Sequence, residues 1–316
     1  WTRQGNTLSA PFTVPFAWIN RQVILRIDWV SGPYTVRING REAACDADGN
    51  APAEYNVTRL AREGRNELEI VVAEPSPTAV LESWKESPVP AAGPALVMSQ
   101  PTLRVRDVET RTRIGEDGDA TAEVGVVLKT HSLNPRTSRL RYTLLSPSGR
   151  TVTTGSKELT LDMRREDTVR FLARIPYDSL WCDTLPTQYR LQLATQHDGR
   201  YEEYLELPLG FRTAEVRDGR MTINGREVAL RCREVPGSFP ASEVASLRAE
   251  GYNTLRLLPG PVSEALLDSC DARGLYVVVQ APVDTRRSGD SRRVGGNPSN
   301  DPAWREAYAE RAANSY

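Results

Sequence analysis

The sequence predicts a multidomain, mainly β protein, with two β-sandwiches followed by an α/β segment of about three βα units. Three observations predict it. Apolar residues alternate with period two through the first hundred residues, and the same alternation restarts near Pro101. After Gly210-Phe211-Arg212 the period lengthens and short apolar strands alternate with helical stretches.

In residues 1–100, Val23, Leu25, Ile27 and Trp29 share one strand face, Tyr34, Val36 and Ile38 a second, and Leu68, Ile70 and Val72 a third. Trp29 is therefore expected in the core. Asn39-Gly40 is a hairpin signal, because both residues tolerate positive φ. Pro75-Ser76-Pro77 and Pro88-Val89-Pro90 mark irregular loops.

In residues 101–212 the strand faces are Val124, Val126 and Leu128; Leu140, Tyr142 and Leu144; and Leu159, Leu161 and Met163. Val169, Phe171, Ala173 and Ile175 follow, then Tyr189, Leu191 and Leu193. Strands at this spacing, with turns such as Ser146-Pro147-Ser148-Gly149, suggest an immunoglobulin-like sandwich.

Residues 213–316 begin with the apolar run Val228-Ala229-Leu230. A helix over 242–250 ends at Gly251, the strand 254–258 follows, and Ser263 caps a helix that places Leu266, Leu267 and Cys270 on one face and stops at Gly274. Leu275-Tyr276-Val277-Val278-Val279 reads as a parallel strand buried on both faces. Asp301-Pro302 then opens a helix through Trp304 and Tyr308. An α/β barrel and a doubly wound sheet both begin this way.

Composition narrows the function classes. The chain has 316 residues, is 39% hydrophobic and 26% charged, and carries a formal charge of −1. Lysine and arginine are interleaved with acids, so no basic face for nucleic acid stands out. No run of eighteen apolar residues offers a membrane span. The four cysteines, Cys45, Cys182, Cys232 and Cys270, lack CxxC spacing and are expected to be buried free thiols. With only His131 and His197 present, a histidine-rich metal site is excluded and no cofactor is called for. The chain opens on Trp1, so an export signal is not readable from it.

The joints between segments carry more specific motifs. Tyr34-Thr35-Val36-Arg37-Ile38-Asn39-Gly40, Glu54-Tyr55-Asn56-Val57-Thr58, Gly64-Arg65-Asn66-Glu67-Leu68 and Leu81-Glu82-Ser83-Trp84 resemble the sugar-binding jelly-roll domain of glycoside hydrolase family 2. Leu180 to Tyr189 looks like that family's LWS-P-LY segment, and Gly210-Phe211-Arg212 with Ile223-Asn224-Gly225-Arg226 like its GFR…NGK lead-in to a barrel. Each motif is weak alone; their order along the chain makes chance implausible. The resemblance spans essentially the whole chain. It implies a jelly roll over 1–100, an immunoglobulin-like sandwich over 101–212, and the N-terminal part of a TIM barrel over 213–316. Asn56-Val57-Thr58 also matches a glycosylation sequon, but it coincides with the family's aromatic-Asp-x-Thr turn and reads as structural.

The resemblance further implies a β-galactosidase-like retaining glycosidase acting on β-linked sugars, with a carbohydrate partner and a periplasmic or secreted rather than cytoplasmic location. In the family both catalytic glutamates sit on the fourth and seventh barrel strands, so this chain is expected to hold no catalytic residue and to be inactive alone. A truncated barrel exposes sheet edges, so it is expected to pack on the second sandwich or to self-associate.

At the three strand ends the chain departs from the family. Cys232-Arg233-Glu234-Val235-Pro236 stands for G-V-N-x-H, Arg256 to Pro261 for R-T-S-H-Y-P, and Val279-Gln280-Ala281-Pro282 for D-E-A-N. The polar candidates left for substrate binding are Glu234, Arg256, Gln280 and Asp284, with Trp84 as the most open indole for stacking on a sugar ring. These losses raise the alternative of a diverged, non-catalytic carbohydrate-binding or scaffold protein.

Overall fold

The computed structural model of the chain describes residues 1–85, 89–286 and 298–315. Pro88 of the second proline loop lies outside them.

The first sandwich pairs a five-stranded sheet with a three-stranded one. The larger has the order Thr2–Gln4, Thr7–Val14, Gly64–Val72, Tyr34–Ile38, Arg41–Asp46. The smaller has Gln22–Ile27 between Ala53–Asn56 and Ala95–Gln100. Leu25, Ile27, Val36, Ile38 and Ile70 are fully buried between them. Asn39 and Gly40 have φ of 54° and 77° and turn the chain between two antiparallel strands. Trp29 departs from the expectation. It follows the end of its strand, is only half-buried, and packs against Gly93, where a β-carbon would strike the indole.

The second sandwich has three strands facing four. Ala120–Thr130 lies between Glu166–Ile175 and Leu103–Ile114; opposite, the order is Thr151–Leu161, Arg136–Leu145, Tyr189–His197, Arg200–Leu209. This is the seven-strand arrangement of an immunoglobulin-like fold. Val124, Val126, Leu128, Leu140, Leu144, Leu191 and Ile175 are solvent-free. Tyr142 is half-buried and stacks on Phe171 at 4.0 Å. Met163 is exposed, because its strand ends at Leu161.

Beyond Phe211 the chain makes a small antiparallel ribbon from Ala214–Arg217, Arg220–Ile223 and Arg226–Glu227. A parallel sheet of Cys232–Pro236, Thr254–Leu258 and Tyr276–Val279 follows. The first parallel strand is thus Cys232–Pro236, not Val228-Ala229-Leu230, which links the ribbon to the sheet. Helices Val244–Ala249 and Glu264–Arg273 cover one face, burying Val235, Leu255, Leu257, Leu266 and Cys270 together. Ser263 is the N-cap residue of the second helix, but its side chain makes no cap bond. That helix stops at Gly274, which has φ of 73° and is pressed against the Asp183 carbonyl. Asp301 accepts from Ala303 N at 2.9 Å and starts a helical turn leading into helix Arg305–Asn314.

The other face of the parallel sheet is open. Val278 is 43% and Leu258 38% exposed, so the expectation of burial on both faces fails. The reason is coverage: both helices pack on the same side.

The motif residues at the second joint are architectural. Trp181 is buried against Tyr276, donates its indole N–H to Asp271 O at 2.8 Å, and carries the Arg212 guanidinium 4.8 Å from its ring. Asn224 Nδ2 donates to Trp181 O at 3.0 Å, and Asn253 Nδ2 to Asp183 Oδ2 at 3.1 Å. These contacts fix the α/β part on the second sandwich.

Candidate functional site

Three sequence candidates meet on the open face of the parallel sheet. Glu234 lies opposite Arg256 in the register of the first two strands. The Arg256 guanidinium pairs with the Glu234 carboxylate and donates to Gln280 Oε1 at 3.1 Å. Glu234 and Arg256 are mid-strand rather than at strand ends, because the first strand runs to Pro236 and the second to Leu258. Gln280 does follow the last residue of its strand. Both charged groups are about half exposed, so their pairing orders the face more than it stabilises the fold.

Asp284 and Trp84 sit elsewhere, at the seam with the first sandwich. The segment around Asp284 adds to the Leu81–Ser83 backbone: Asp284 N donates to Leu81 O and Ser83 N to Asp284 O, each at 2.8 Å. Asp284 is thus no solvated rim residue; its side chain is 8% exposed and pairs with Arg286 at 2.6 Å. Trp84 is half-buried, with the Lys85 ammonium 5.7 Å from its ring centre.

The seam's chemistry centres on residues that strand-end reasoning missed. Glu82 Oε1 accepts from Arg311 Nη1 at 2.9 Å, from Asn50 Nδ2 at 2.9 Å and pairs with Lys85 Nζ at 3.2 Å. Arg311 reaches it from helix Arg305–Asn314 and also donates to Pro282 O at 2.8 Å. Asn314 Nδ2 donates to Asp48 Oδ2 at 3.1 Å. Burial holds the Lys85 ammonium below its usual range, against the pull of Glu82. Burial, then Asp46 and Asp48, raises Glu310.

Gly49 lets the loop carrying Asp48 and Asn50 approach. Val30 N donates to Gly49 O at 2.7 Å, and a β-carbon at Gly49 would collide with the Val30 and Gly32 carbonyls. Asp48-Gly49-Asn50 is legible as a turn, but nothing local announces a contact with a helix about 260 residues later. Between this loop and the ends of the second and third parallel strands lies a cavity of about 230 Å³, walled by Asp48, Asn50, Gly260, Gln280, Pro282 and Asn314. A larger hollow of about 380 Å³, beside Tyr177 and Asn224, lies away from those strand ends. Its best-placed polar groups are already paired, Tyr177 with Asn224 O at 2.7 Å and Asn224 with Trp181 O and Thr213 N.

All four cysteines are free thiols, but only Cys270 is buried. Cys45 is exposed on an edge strand and Cys232 on the open sheet face; Cys182 is intermediate. No grouping of three or more metal-ligating side chains occurs among the described residues, and no described helix is long and apolar enough to cross a membrane.

Two sandwiches in series, tied by a buried tryptophan to a parallel α/β sheet, define a glycoside-hydrolase-type architecture. The glycosyl hydrolases family 2 sugar binding domain matches residues 2–89, and a second glycosyl hydrolases family 2 domain matches 103–212. The chain belongs to glycoside hydrolase family 2. It is 23% identical to a β-galactosidase of Priestia megaterium over 96% of this chain and 31% of that protein. To a β-galactosidase of an Arthrobacter species it is 25% identical, over 95% of this chain and 29% of the other. The chain thus spans about a third of the length of the curated relatives it matches. A β-glucuronidase of Bacteroides uniformis superposes with a TM-score of 0.77 at 19% identity, over 93% of this chain and 38% of that one.

Proposed function

We propose that this chain is the front portion of a retaining glycosidase acting on β-linked sugars, and that it does not hydrolyse them by itself. The observation that carries the reading is the parallel sheet of Cys232–Pro236, Thr254–Leu258 and Tyr276–Val279, helix-covered on one face and open on the other. In this reading its three strands are the first three of a TIM barrel, and the open face is the barrel interior. The domain limits are then 1–100, 101–212 and 213–316. Barrel enzymes place their chemistry at the carboxyl ends of the strands, where Gln280 and the 230 Å³ cavity lie. The two carboxylates of a retaining mechanism belong, in the family, to the fourth and seventh strands, beyond the three present here. Glu234 takes neither role, since its carboxylate is engaged by Arg256.

The test is turnover of chromogenic β-galactosides, β-glucosides and β-glucuronides by the purified chain. The expected rate is that of buffer, and hydrolysis well above buffer would sink the inactive-alone reading. One observation favours a second reading, a diverged non-catalytic carbohydrate-binding protein. The family's strand-end histidines and asparagines are replaced by Pro236, Pro259 and Val279, which neither donate nor accept through their side chains. Activity of a full-length gene product on those glycosides would eliminate that alternative.

A further inference from the structure

His131 holds the linker between the two sandwiches. The last strand of the first sandwich ends at Gln100, the first strand of the second begins at Leu103, and His131 N donates to Thr102 O between them at 2.8 Å. The joint clamped in this way is thin. Among the described residues, two side-chain contacts cross directly from one sandwich to the other: Arg21 Nη1 donates to Glu202 O at 3.4 Å, and Arg104 stands 3.9 Å from Glu54. The first is long and the second reaches a partly exposed carboxylate, so neither holds the joint strongly.

The His131 ring is poorly placed to carry charge. Its Nε2 is buried and has no hydrogen-bond partner. A neutral imidazole can leave that nitrogen unprotonated, but an imidazolium must place an N–H there with nothing to accept it. Arg104 on strand Leu103–Ile114, Lys129 on strand Ala120–Thr130 and Arg164 in the turn after strand Thr151–Leu161 all disfavour the charged ring. Glu166 favours it, but that carboxylate is already shared by Lys129 at 2.9 Å and Arg106 at 3.1 Å. Burial first, and then the three cations, hold the imidazole below its ordinary 6.5. Arg104 carries the effect across the joint, because it acts on His131 and reaches towards Glu54 of the first sandwich.

We infer that His131 is an acid-sensitive latch on the joint between the two sandwiches, clamping it while the ring is neutral and loosening it when the ring takes a proton. The inference does not depend on the glycosidase reading. Its sign is set by linkage. Opening frees the ring, so the open joint binds the proton near 6.5 and the closed joint only at lower pH. Closure is therefore unaffected well above 6.5 and weakens as pH falls from 6.5 through the lower closed value. Glu203, which accepts from Val105 N, acts in the opposite sense, because burial raises its carboxyl and the closed state holds that proton more tightly. The first sandwich carries the Asp48–Asn50 loop beside the parallel strands, so the latch bears on how that loop is presented.

The test uses the whole 316-residue chain. Proton NMR of the imidazole C–H signals follows the titration, and His197→Gln leaves His131 as the single ring to read. A His131 midpoint below 6.5 is expected; one at or above 6.5 overturns the inference. Hydrogen exchange by peptide mass, corrected for the chemical exchange rate, then compares opening at residues 100–105 and 129–132 between pH 7 and pH 5. His131→Gln keeps Glu203, so the difference from wild type isolates the latch. Acidification should open the wild-type joint more than that of His131→Gln, by at least about threefold. The ceiling is about twenty-five-fold, the limit for a ring that titrates at 6.5 when open and not at all when closed. Val124–Leu128 should show no such difference. A smaller or absent difference at the joint, or the same difference at Val124–Leu128, overturns the inference. If His131→Gln does not fold, Arg104→Gln takes its place: losing that cation should move the His131 midpoint up and shrink the acid response, and an unmoved midpoint overturns the inference.

Discussion

Replacing Glu82 with glutamine isolates what holds the C-terminal helix on the first sandwich. The Glu82 and Arg311 side chains are 3% and 1% exposed, so water screens their attraction little. Glu82→Gln keeps the shape of the side chain but leaves the Arg311 guanidinium buried without its counter-charge and near the Lys85 ammonium. Breaking a buried pair in this way costs about 3–5 kcal/mol. At about 1.4 kcal/mol per factor of ten, that is roughly a hundred- to several-thousand-fold rise in opening. The loss should be local, because Arg311 and Asn314 tie helix Arg305–Asn314 to the first sandwich. Hydrogen exchange read by peptide mass is the assay. Amides of that helix should exchange far faster, while those of Val124–Leu128 in the second sandwich should not change. Glu82→Met combined with Arg311→Met should recover part of the loss, since the buried guanidinium is removed together with its counter-charge and only the Lys85 ammonium, still held by Ser31 O, loses Glu82. Unchanged exchange in Glu82→Gln, or a double variant worse than the single, would refute the reasoning.

Two further outcomes follow from burial. Cys45 and Cys232 should react with a maleimide in the native protein, and Cys182 more slowly; Cys270, whose thiol burial pushes up to about 12, should stay unmodified until denaturant is added, as counted by intact mass. The Glu203 carboxyl, which accepts from Val105 N at 2.8 Å, is raised by burial, with that hydrogen bond opposing. The folded state therefore holds this proton more tightly than the unfolded one. Its ionisation subtracts stability as pH climbs from the ordinary 4.5 through the raised folded value, and costs nothing below that window. Glu203→Gln should then raise Tm at neutral pH, with the gain vanishing on acidification below 4.5; a gain that does not depend on pH would assign the effect to packing.

Much of the fold was legible because it is periodic. Leu25 and Ile27, Val36 and Ile38, and Val124, Val126 and Leu128 alternate, and each set is buried in its sandwich. Asn39-Gly40, Gly251 and Gly274 punctuate where the backbone takes positive φ. The misreadings share one cause. Alternation says that a face is apolar, not whether another element covers it. Trp29 continues the face of Leu25 and Ile27, yet its strand has already ended. Leu258 and Val278 are apolar strand residues whose outward side meets no neighbour. Cys45 and Cys232 are small and apolar enough to read as buried, but an edge strand and an open sheet face expose them.

The site divides along the same line. Sequence by itself determined the family, the two sandwiches and the polar residues near the strand ends, because motif order and strand period are local properties. It also brought Glu234, Arg256 and Gln280 into consideration, and parallel register then placed them side by side. Only the tertiary structure decided that Asp284 zips onto Leu81–Ser83, and that Glu82, Asn50 and Arg311 form one buried cluster beside the cavity. Those partners are 32 and 229 residues apart in the chain, and a charge buried by a distant helix leaves no local signature. What makes them a unit is the low-dielectric seam that forms when three separately legible pieces pack together.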